Sequence, residues 1–212
     1  GFAETAVHAL AAFMPTAAVI ILLRKYGAIG ERRTIWQFIG DFPKRVSPYL
    51  IILAFMVWRF LVFFIAGDLT NGQPLYMLFL FLLMQVFQGG LEEPGWRGFL
   101  QPWFDKRLPF VVSVVLVSVI WSVWHIPLWF VAGSAQSEMS FVIFFLQILV
   151  NSCSLAAIMK TTKSVAFCIL YHAWCNAVFL LAPFEMNGGI VTAYAVEGVV
   201  AMGIGLLFNK RA

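Results

Sequence analysis

The chain has 212 residues, of which 62% are hydrophobic and only 11% are charged, with a net charge of +4 and a mean hydropathy of +0.90. Soluble domains carry roughly 25% charged residues, so this composition excludes a water-soluble globular fold and predicts a protein embedded in a bilayer. The basic residues lie between apolar runs and form no single patch, which argues against nucleic acid as a partner.

Seven apolar runs are long enough to cross a bilayer core of about 30 Å at roughly 1.5 Å per helical residue. They lie near residues 5–23, 49–66, 75–91, 109–131, 140–159, 164–182 and 188–208. The first run could instead be a signal peptide, but basic residues follow it and no charged segment precedes it. The runs predict an all-α fold, a polytopic transmembrane helix bundle that forms a single integral membrane domain over residues 1–212. Its motif-bearing core spans about 75–182.

Basic residues occupy alternate connections between these runs. They are Arg24, Lys25, Arg32, Arg33, Lys44 and Arg45 after the first run, Lys106 and Arg107 after the third, Lys160 and Lys163 after the fifth, and Lys210 and Arg211 after the seventh. The other connections contain Asp68, Glu138 and Glu185 and no Lys or Arg. Because basic loops stay in the cytoplasm, the N-terminus is predicted outside and the C-terminus inside. We expect a multi-pass protein of a bacterial-type cytoplasmic membrane.

Residues 31–48 connect the first two runs and mix charges with aromatic and aliphatic side chains. The apolar members are Trp36, Phe38, Ile39 and Phe42. This mixture is typical of a short amphipathic helix that lies in the membrane interface, which we predict here on the cytoplasmic side.

Charged side chains inside the apolar runs are informative, because each costs about 2.5–3.5 kcal/mol at the bilayer centre. They are Arg59, Glu92, Glu93, Arg97 and Glu197. Arg59 and Glu197 lie near the middle of their runs, and we expect them to pair with one another or with a polar neighbour such as Asn151. The alternative is that the Arg59 side chain extends to the cytoplasmic interface.

The sequence GGLEEPGWRGFL, at residues 89–100, places three charges at the end of the third run. Glu93 and Arg97 are four residues apart, so on a helix they can form an ion pair. Two glycines and Pro94 favour a helix break, after which Pro94 would lie in the first turn of the restarted helix. Irregular backbone at membrane depth is tolerated only beside protein or a wet cavity, so Glu92 is predicted to face a cavity. Alternatively, the segment is the cytoplasmic end of the run and its charges extend to water.

Two more polar pairs occur at helical spacing. Trp121 and His125 are four residues apart in the fourth run, and His172 and Asn176 are four residues apart in the sixth. A single buried histidine is usually a core residue, but polar side chains at this depth turn into the bundle, where these can meet Glu92. A carboxylate can act as general base on a water that one histidine orients, while the other histidine and the amide stabilise an oxyanion. This combination predicts peptide-bond hydrolysis without a protein nucleophile.

Three motifs follow one another in the chain: EEPGWR fits EExxxR, the stretch from Trp121 to His125 resembles FxxxH with Trp for Phe, and the stretch from His172 to Asn176 fits HxxxN. In this order the chain resembles the CPBP family of CAAX proteases and bacteriocin-processing enzymes, also called Abi, which are intramembrane glutamate proteases. The resemblance implies a bundle of about eight helices, of which seven are found here. The Trp121 departure keeps an aromatic wall but could narrow the pocket.

The resemblance also implies a role for each motif residue. Glu92 would activate water, His125 would assist it, and His172 and Asn176 would form the oxyanion site. Glu93 and Arg97 would support this geometry. The implied partners are the lipid bilayer and a membrane-associated peptide or protein substrate, with or without a lipid group, since the eukaryotic members cleave prenylated proteins.

Three alternatives stay open from the residues alone. No cofactor is expected, but Glu92, His125 and His172 could instead hold Zn²⁺ as a two-histidine, one-carboxylate site. A transporter could use Arg59, Glu92 and Glu197 as a proton or ion path, although the sequence has no internal repeat. The chain could also be a non-catalytic membrane scaffold or immunity protein.

Overall fold

The computed structural model describes residues 2–26, 38–66, 72–181 and 187–209, with side chains from residue 10 onward. Within these ranges the chain is helical and contains no strand. Seven helices of at least 12 residues are described: α1 (Phe2–Tyr26), α2 (Ser47–Ala66), α3 (Met77–Gln88), α4 (Phe110–Trp124), α5 (Phe141–Thr162), α6 (Val165–Leu181) and α7 (Gly188–Leu207). Short helical turns join α3 to α4, and a 3₁₀ helix (Ile126–Phe130) extends α4.

Among the described residues, four helical stretches are long and apolar enough to cross a membrane: Ser47–Ile65, Phe110–Phe130, Phe141–Thr162 and Gly188–Leu207. Helix α6 is apolar but shorter, with 17 residues. Helix α3 has 12 residues because it ends at Gln88, before Gly89. The predicted all-α, polytopic transmembrane bundle is confirmed, and the protein is an integral membrane protein. Which face is cytoplasmic stays a prediction.

Residues 31–37 of the interfacial helix predicted at 31–48 lie outside the described ranges. Phe38 and Ile39 are helical, as predicted, whereas residues 40–46 are not. Gly40 and Pro43 explain this, since glycine is flexible and proline lacks the donor that a helix needs. Phe38 is buried against a cluster that includes Val19 and Ile169, so it packs in the protein core. Several residues of the topology argument lie outside the described ranges: Arg32, Arg33, Trp36, Asp68, Glu185, Lys210 and Arg211.

The centre of the bundle is formed by α5 and α6. Helix α5 packs along α4 and α7, and α6 packs along α2 and α3. Helix α5 is buried on all sides over residues 152–158, where most side chains are small: Ser152, Cys153, Ser154, Ala156 and Ala157. Small side chains let helix backbones approach closely, which is how membrane helices associate without a hydrophobic driving force. Helix α6, which carries His172, is thereby held in the middle of the molecule.

Contacts between distant segments define two ends of the bundle. Lys160 Nζ lies 2.8 Å from Asp105 Oδ2, and Ser164 Oγ donates to the Asp41 carbonyl oxygen at 2.7 Å. We call this end, formed by residues 38–46, 105–109 and 160–164, the basic end. At the other end the Gln73 amide donates to the Leu181 carbonyl oxygen at 2.6 Å. We call that end, which includes residues 72–76 and 125–140, the opposite end.

A buried ion pair ties α2 to α7. Arg59 Nη2 lies 2.6 Å from Glu197 Oε1 and donates to Asn151 Oδ1 at 2.9 Å. The same Glu197 oxygen accepts from Tyr171 Oη and from Ser154 Oγ, each at 2.7 Å. The pairing predicted for Arg59 and Glu197, with Asn151 as a polar neighbour, is confirmed.

We expect Arg59→Met and Glu197→Met each to lower the free energy of unfolding by about 3–5 kcal/mol, because each leaves a charge buried without its partner. The double variant should lose less than the sum of the two single losses, since neither charge remains. Unfolding of the four proteins in one detergent measures this coupling. Additive losses would show that the two side chains do not interact.

Candidate active site

The helix is interrupted where the two glycines and Pro94 predict a break. Helix α3 ends at Gln88, and a 3₁₀ turn (Gly90–Glu92), an α-helical turn (Glu93–Gly95) and a π-helical turn (Trp96–Leu100) follow. Pro94 lies in the first turn after the break, as expected. Thr16 Oγ1, from α1, donates to the Leu91 carbonyl oxygen at 2.5 Å, so a neighbouring helix supplies a hydrogen bond within the irregular backbone.

A cavity of about 630 Å³ lies beside this break. Glu92, His125, His172 and Asn176 all line it, so the structure brings together the four residues singled out from three separate runs. Trp121 also lines the cavity. The volume falls within the range of roughly 300–1,000 Å³ that is typical of small-molecule sites.

The Glu92 carboxylate is buried, and its two oxygens have different surroundings. Oε2 accepts two indole N–H groups, from Trp96 at 2.9 Å and from Trp121 at 2.6 Å. Oε1 lies 3.8 Å from His125 Nε2, which is too long for a direct hydrogen bond. The two indoles therefore fix the carboxylate and leave Oε1 available to the cavity.

His125 is oriented by the backbone of its own helix. Its Nδ1 lies 2.8 Å from the Trp121 carbonyl oxygen, which can only accept, so Nδ1 carries a proton. In the neutral ring Nε2 then has a lone pair, and it faces Glu92 Oε1.

Glu93 lies one residue further and has a different set of partners. Its Oε1 accepts from Arg97 Nη1 at 3.2 Å, which confirms the predicted ion pair, and lies 2.8 Å from His172 Nδ1. Arg97 Nη2 donates to Ser152 Oγ at 2.9 Å, and both charged residues are 0% exposed. Glu93 thus fixes the His172 ring and leaves its Nε2 on the other side.

The side chains of Asn176 and His172 both lie close to the backbone of Gly89. Asn176 Nδ2 donates to Gln85 Oε1 at 3.0 Å. A Cβ atom at Gly89 would lie 2.5 Å from Asn176 Nδ2 and 3.0 Å from His172 Nε2. Only glycine therefore allows the backbone to approach both polar groups at this point.

The sequence interpretation missed three partners of the site: Trp96, Gln85 and Ser152. Trp96 could have been found, because it follows Glu92 by four residues and so lies on the same helical face. Gln85 and Ser152 are distant in sequence from the groups they bind, Asn176 and Arg97, and no spacing rule connects them.

A zinc site at Glu92, His125 and His172 stays a prediction, although the grouping of the described side chains does not favour it. Across residues 2–26, 38–66, 72–181 and 187–209, no three His, Cys, Asp or Glu side chains are grouped as a metal ion would require. The Nδ1 atoms of His125 and His172 face the Trp121 carbonyl oxygen and the Glu93 carboxylate, respectively.

We expect Trp121→Phe to lower turnover about tenfold with little change in KM, because losing a hydrogen bond to a charged group of about 1.5 kcal/mol frees the Glu92 carboxylate to rotate. Trp129→Phe is the matched control, since that indole donates to the Met139 carbonyl oxygen and does not contact Glu92. Steady-state kinetics of both variants decide the question. Equal losses in the two would mean that indole packing, and not the N–H donor, matters.

Sequence comparisons with known proteins match the part of the chain that forms this site. Residues 74–178 match the family model described as type II CAAX prenyl endopeptidase, Rce1-like. A protein named CAAX prenyl protease 2 from Methanococcus maripaludis is 34% identical over 142 residues, which are 64% of this chain and 50% of that relative. The chain thus spans about half the length of the curated relative it matches. The family match contains all three motifs, and through it the chain belongs to the CPBP family of CAAX proteases and bacteriocin-processing enzymes.

Proposed function

We propose that the protein is an intramembrane endopeptidase in which Glu92 activates a water that attacks a substrate peptide bond. The observation that carries this proposal is the 3.8 Å gap between Glu92 Oε1 and His125 Nε2 at the cavity wall. One water can lie about 2.8 Å from both atoms and donate a hydrogen to each. Its lone pair then points into the cavity, where a carbonyl carbon can be attacked.

The reaction needs no group beyond these side chains. As the water oxygen bonds to the carbonyl carbon, its proton passes to Glu92, and the carbonyl oxygen becomes an oxyanion. His172 Nε2 and Asn176 Nδ2 are the donors proposed for that oxyanion. Because Nδ1–H is already bound to Glu93, donation from Nε2 requires the doubly protonated His172 ring. Glu92 then delivers its proton to the leaving nitrogen as the C–N bond breaks.

We propose a substrate that is anchored in the membrane by a lipid or an apolar segment. Two apolar side chains that line the cavity, Leu180 and Val131, are exposed at 39% and 41%. An apolar anchor can therefore remain in lipid while a short extended segment enters the cavity. The relative's name refers to prenyl proteins, and a prenyl group is one such anchor.

The experiment is cleavage of a peptide panel by the purified protein, read by mass spectrometry. The panel carries one cleavable segment on a prenyl, a fatty-acyl or a transmembrane anchor, together with an unanchored copy. We expect the anchored peptides to be cleaved and the unanchored copy to be cleaved poorly. Glu92→Gln should be inactive, and Glu138→Gln, an exposed glutamate outside the cavity lining, should be fully active. A folded wild-type protein that cleaves nothing would favour the scaffold alternative.

The transporter alternative receives less support. It requires Glu197 to exchange a proton or an ion, but this carboxylate is 3% exposed and is held by Arg59, Tyr171 and Ser154 through one oxygen. These contacts indicate that Glu197 is a fixed structural charge and does not carry a proton or an ion.

We propose that the reaction is independent of metal, because Glu92, His125 and His172 do not form a three-ligand group among the described residues. Exhaustive treatment with a chelator should leave turnover unchanged. The measurement is activity before and after metal removal, with metal content checked by mass spectrometry. Activity that is lost on chelation and restored by Zn²⁺ would support the zinc alternative.

A further inference from the structure

A second cavity, of about 640 Å³, is separate from the proposed active site, since none of its lining residues lines the first cavity. Its walls come from the segment that leads into α4, between residues 101 and 109, and from Met159, Lys160 and Lys163 at the end of α5. Asn209, which follows α7, completes the lining. The second cavity therefore lies at the basic end, and the proposed reaction uses none of its residues.

Positive charge is concentrated in the second cavity. Its lining contains four cations and one carboxylate, a net charge of +3: Lys106, Arg107, Lys160 and Lys163 against Asp105. Asp105 Oδ2 lies 2.8 Å from Lys160 Nζ, so this carboxylate offsets one of the four cations. The pKa of Lys163 is lowered, first by partial burial and then by the Lys160 cation. Because these cations repel one another, the lining would stabilise a bound anion.

A buried amide also lines the second cavity. Gln101 is 2% exposed, and its side chain has no hydrogen-bond partner among the residues that the structure describes. Buried amides are normally hydrogen-bonded. A ligand with acceptor oxygens would therefore satisfy the N–H groups of Gln101.

Two exposed cations complete a set of donors for such a ligand. Lys106 and Arg107 both line the cavity and are exposed. Arg107 Nη1 donates to the Trp103 carbonyl oxygen at 2.9 Å, and the guanidinium carbon lies 4.1 Å from the Trp103 ring centre. These contacts hold the guanidinium in place and leave its other N–H groups for an anion. Phosphate oxygens suit this set, because Arg and Lys bind them through charge-assisted hydrogen bonds.

Apolar surface continues from the second cavity along α4. Leu108 and Pro109 belong to the cavity lining, and α4 follows them directly. Val112, Val115 and Val119 are exposed and lie three or four residues apart, so they share one face of the helix. We call these three residues the valine face. It suits the acyl chains of a lipid, whereas a soluble phosphate would not use it.

We propose that the second cavity binds the phosphate group of an anionic phospholipid, whose acyl chains lie along the valine face. Basic pockets between membrane helices are suited to anionic headgroups. A zwitterionic headgroup is disfavoured, because its ammonium group would add a cation to a cationic lining. The inference does not depend on the proposed peptidase activity, since it concerns a different site.

The test is lipid binding, measured by native mass spectrometry of the protein in an uncharged detergent. The protein is titrated with phosphatidylglycerol or with phosphatidylcholine of the same acyl chains, and we expect phosphatidylglycerol to bind more tightly. Joint substitution Lys106→Gln and Arg107→Gln should weaken this binding about thirtyfold, since each cation near a membrane surface contributes about fivefold. Gln101→Leu should weaken it about tenfold, through loss of a hydrogen bond to a charged group.

The matched control is the joint substitution Lys44→Gln and Arg45→Gln, which removes two exposed cations of the basic end that do not line the cavity. It should leave the affinity nearly unchanged. Equal losses in the two double variants would indicate diffuse surface attraction and overturn the proposal. Equal binding of the two lipids would also overturn it. Because both double variants change only exposed side chains, this comparison stands even if Gln101→Leu does not fold.

Competition with glycerol phosphate and inorganic phosphate distinguishes a lipid from a soluble source of the same group. We expect neither to displace phosphatidylglycerol at concentrations near the Kd of the lipid, because neither has acyl chains to contact the valine face. Displacement at such concentrations would assign the second cavity to a soluble phosphate and overturn the lipid proposal.

Discussion

Glu92→Gln is expected to lower turnover by at least about 10²–10⁴-fold, the range typical for loss of a general base. The amide oxygen can still accept the Trp96 and Trp121 indole N–H groups, so the side chain keeps its place, but it cannot take a proton from water. The melting temperature and peptide affinity should therefore stay close to those of the wild-type protein. Single-turnover rates, thermal unfolding and peptide binding measure the three quantities.

A Glu92→Gln protein that unfolds at a much lower temperature would assign Glu92 a structural role. Glu92→Asp gives an intermediate case, because it keeps the carboxylate but withdraws it from His125 and from the two indoles. We expect partial activity for that variant. Activity in Glu92→Asp equal to that of Glu92→Gln would show that position matters as much as basicity.

Glu93→Gln should behave differently, with a loss of about 3–5 kcal/mol in the free energy of unfolding, because Arg97 keeps its charge in a fully buried place. Turnover should fall as well, since the His172 ring loses the carboxylate that orients it. Arg97→Gln should give the same pair of losses. Thermal unfolding and steady-state turnover of both variants are the measurements.

Ser152→Ala is the matched control for this cluster, because it removes one hydrogen bond from Arg97 and leaves the ion pair intact. It should cost about 1.5–3 kcal/mol, the value typical of one hydrogen bond to a charged group. A stable but inactive Glu93→Gln beside an unstable Glu92→Gln would mean that the roles of the two glutamates are reversed.

The features that sequence predicts well here are those governed by local spacing or by the cost of burying charge. Glu93 and Arg97 pair because residues four apart on a helix face each other. Arg59 and Glu197 are 138 positions apart in the sequence, and they form an ion pair because an unpaired charge is costly in lipid. The apolar runs matched the long helices to within a few residues, and Pro94 took the first turn after the break.

Features that depend on tertiary packing could not be predicted from the sequence. Trp121 was expected to serve as an aromatic wall, yet its N–H donates to Glu92, a property that a phenylalanine at this motif position would lack. The Gln85–Asn176 bond joins α3 to α6, and the sequence gives no register between them. Phe38 was expected in the membrane interface, yet its side chain is buried near Gly98, which an amphipathic pattern alone cannot reveal.

The most direct test of Glu92-activated water attack is the intact mass of the protein during a single turnover in H₂¹⁸O. We expect the product carboxylate to carry ¹⁸O from the first turnover, while the protein mass stays unchanged at every quench time, because water attacks the peptide bond without a covalent intermediate. A transient protein species heavier by the acyl part of the peptide would contradict this, since it would require a nucleophile from the chain.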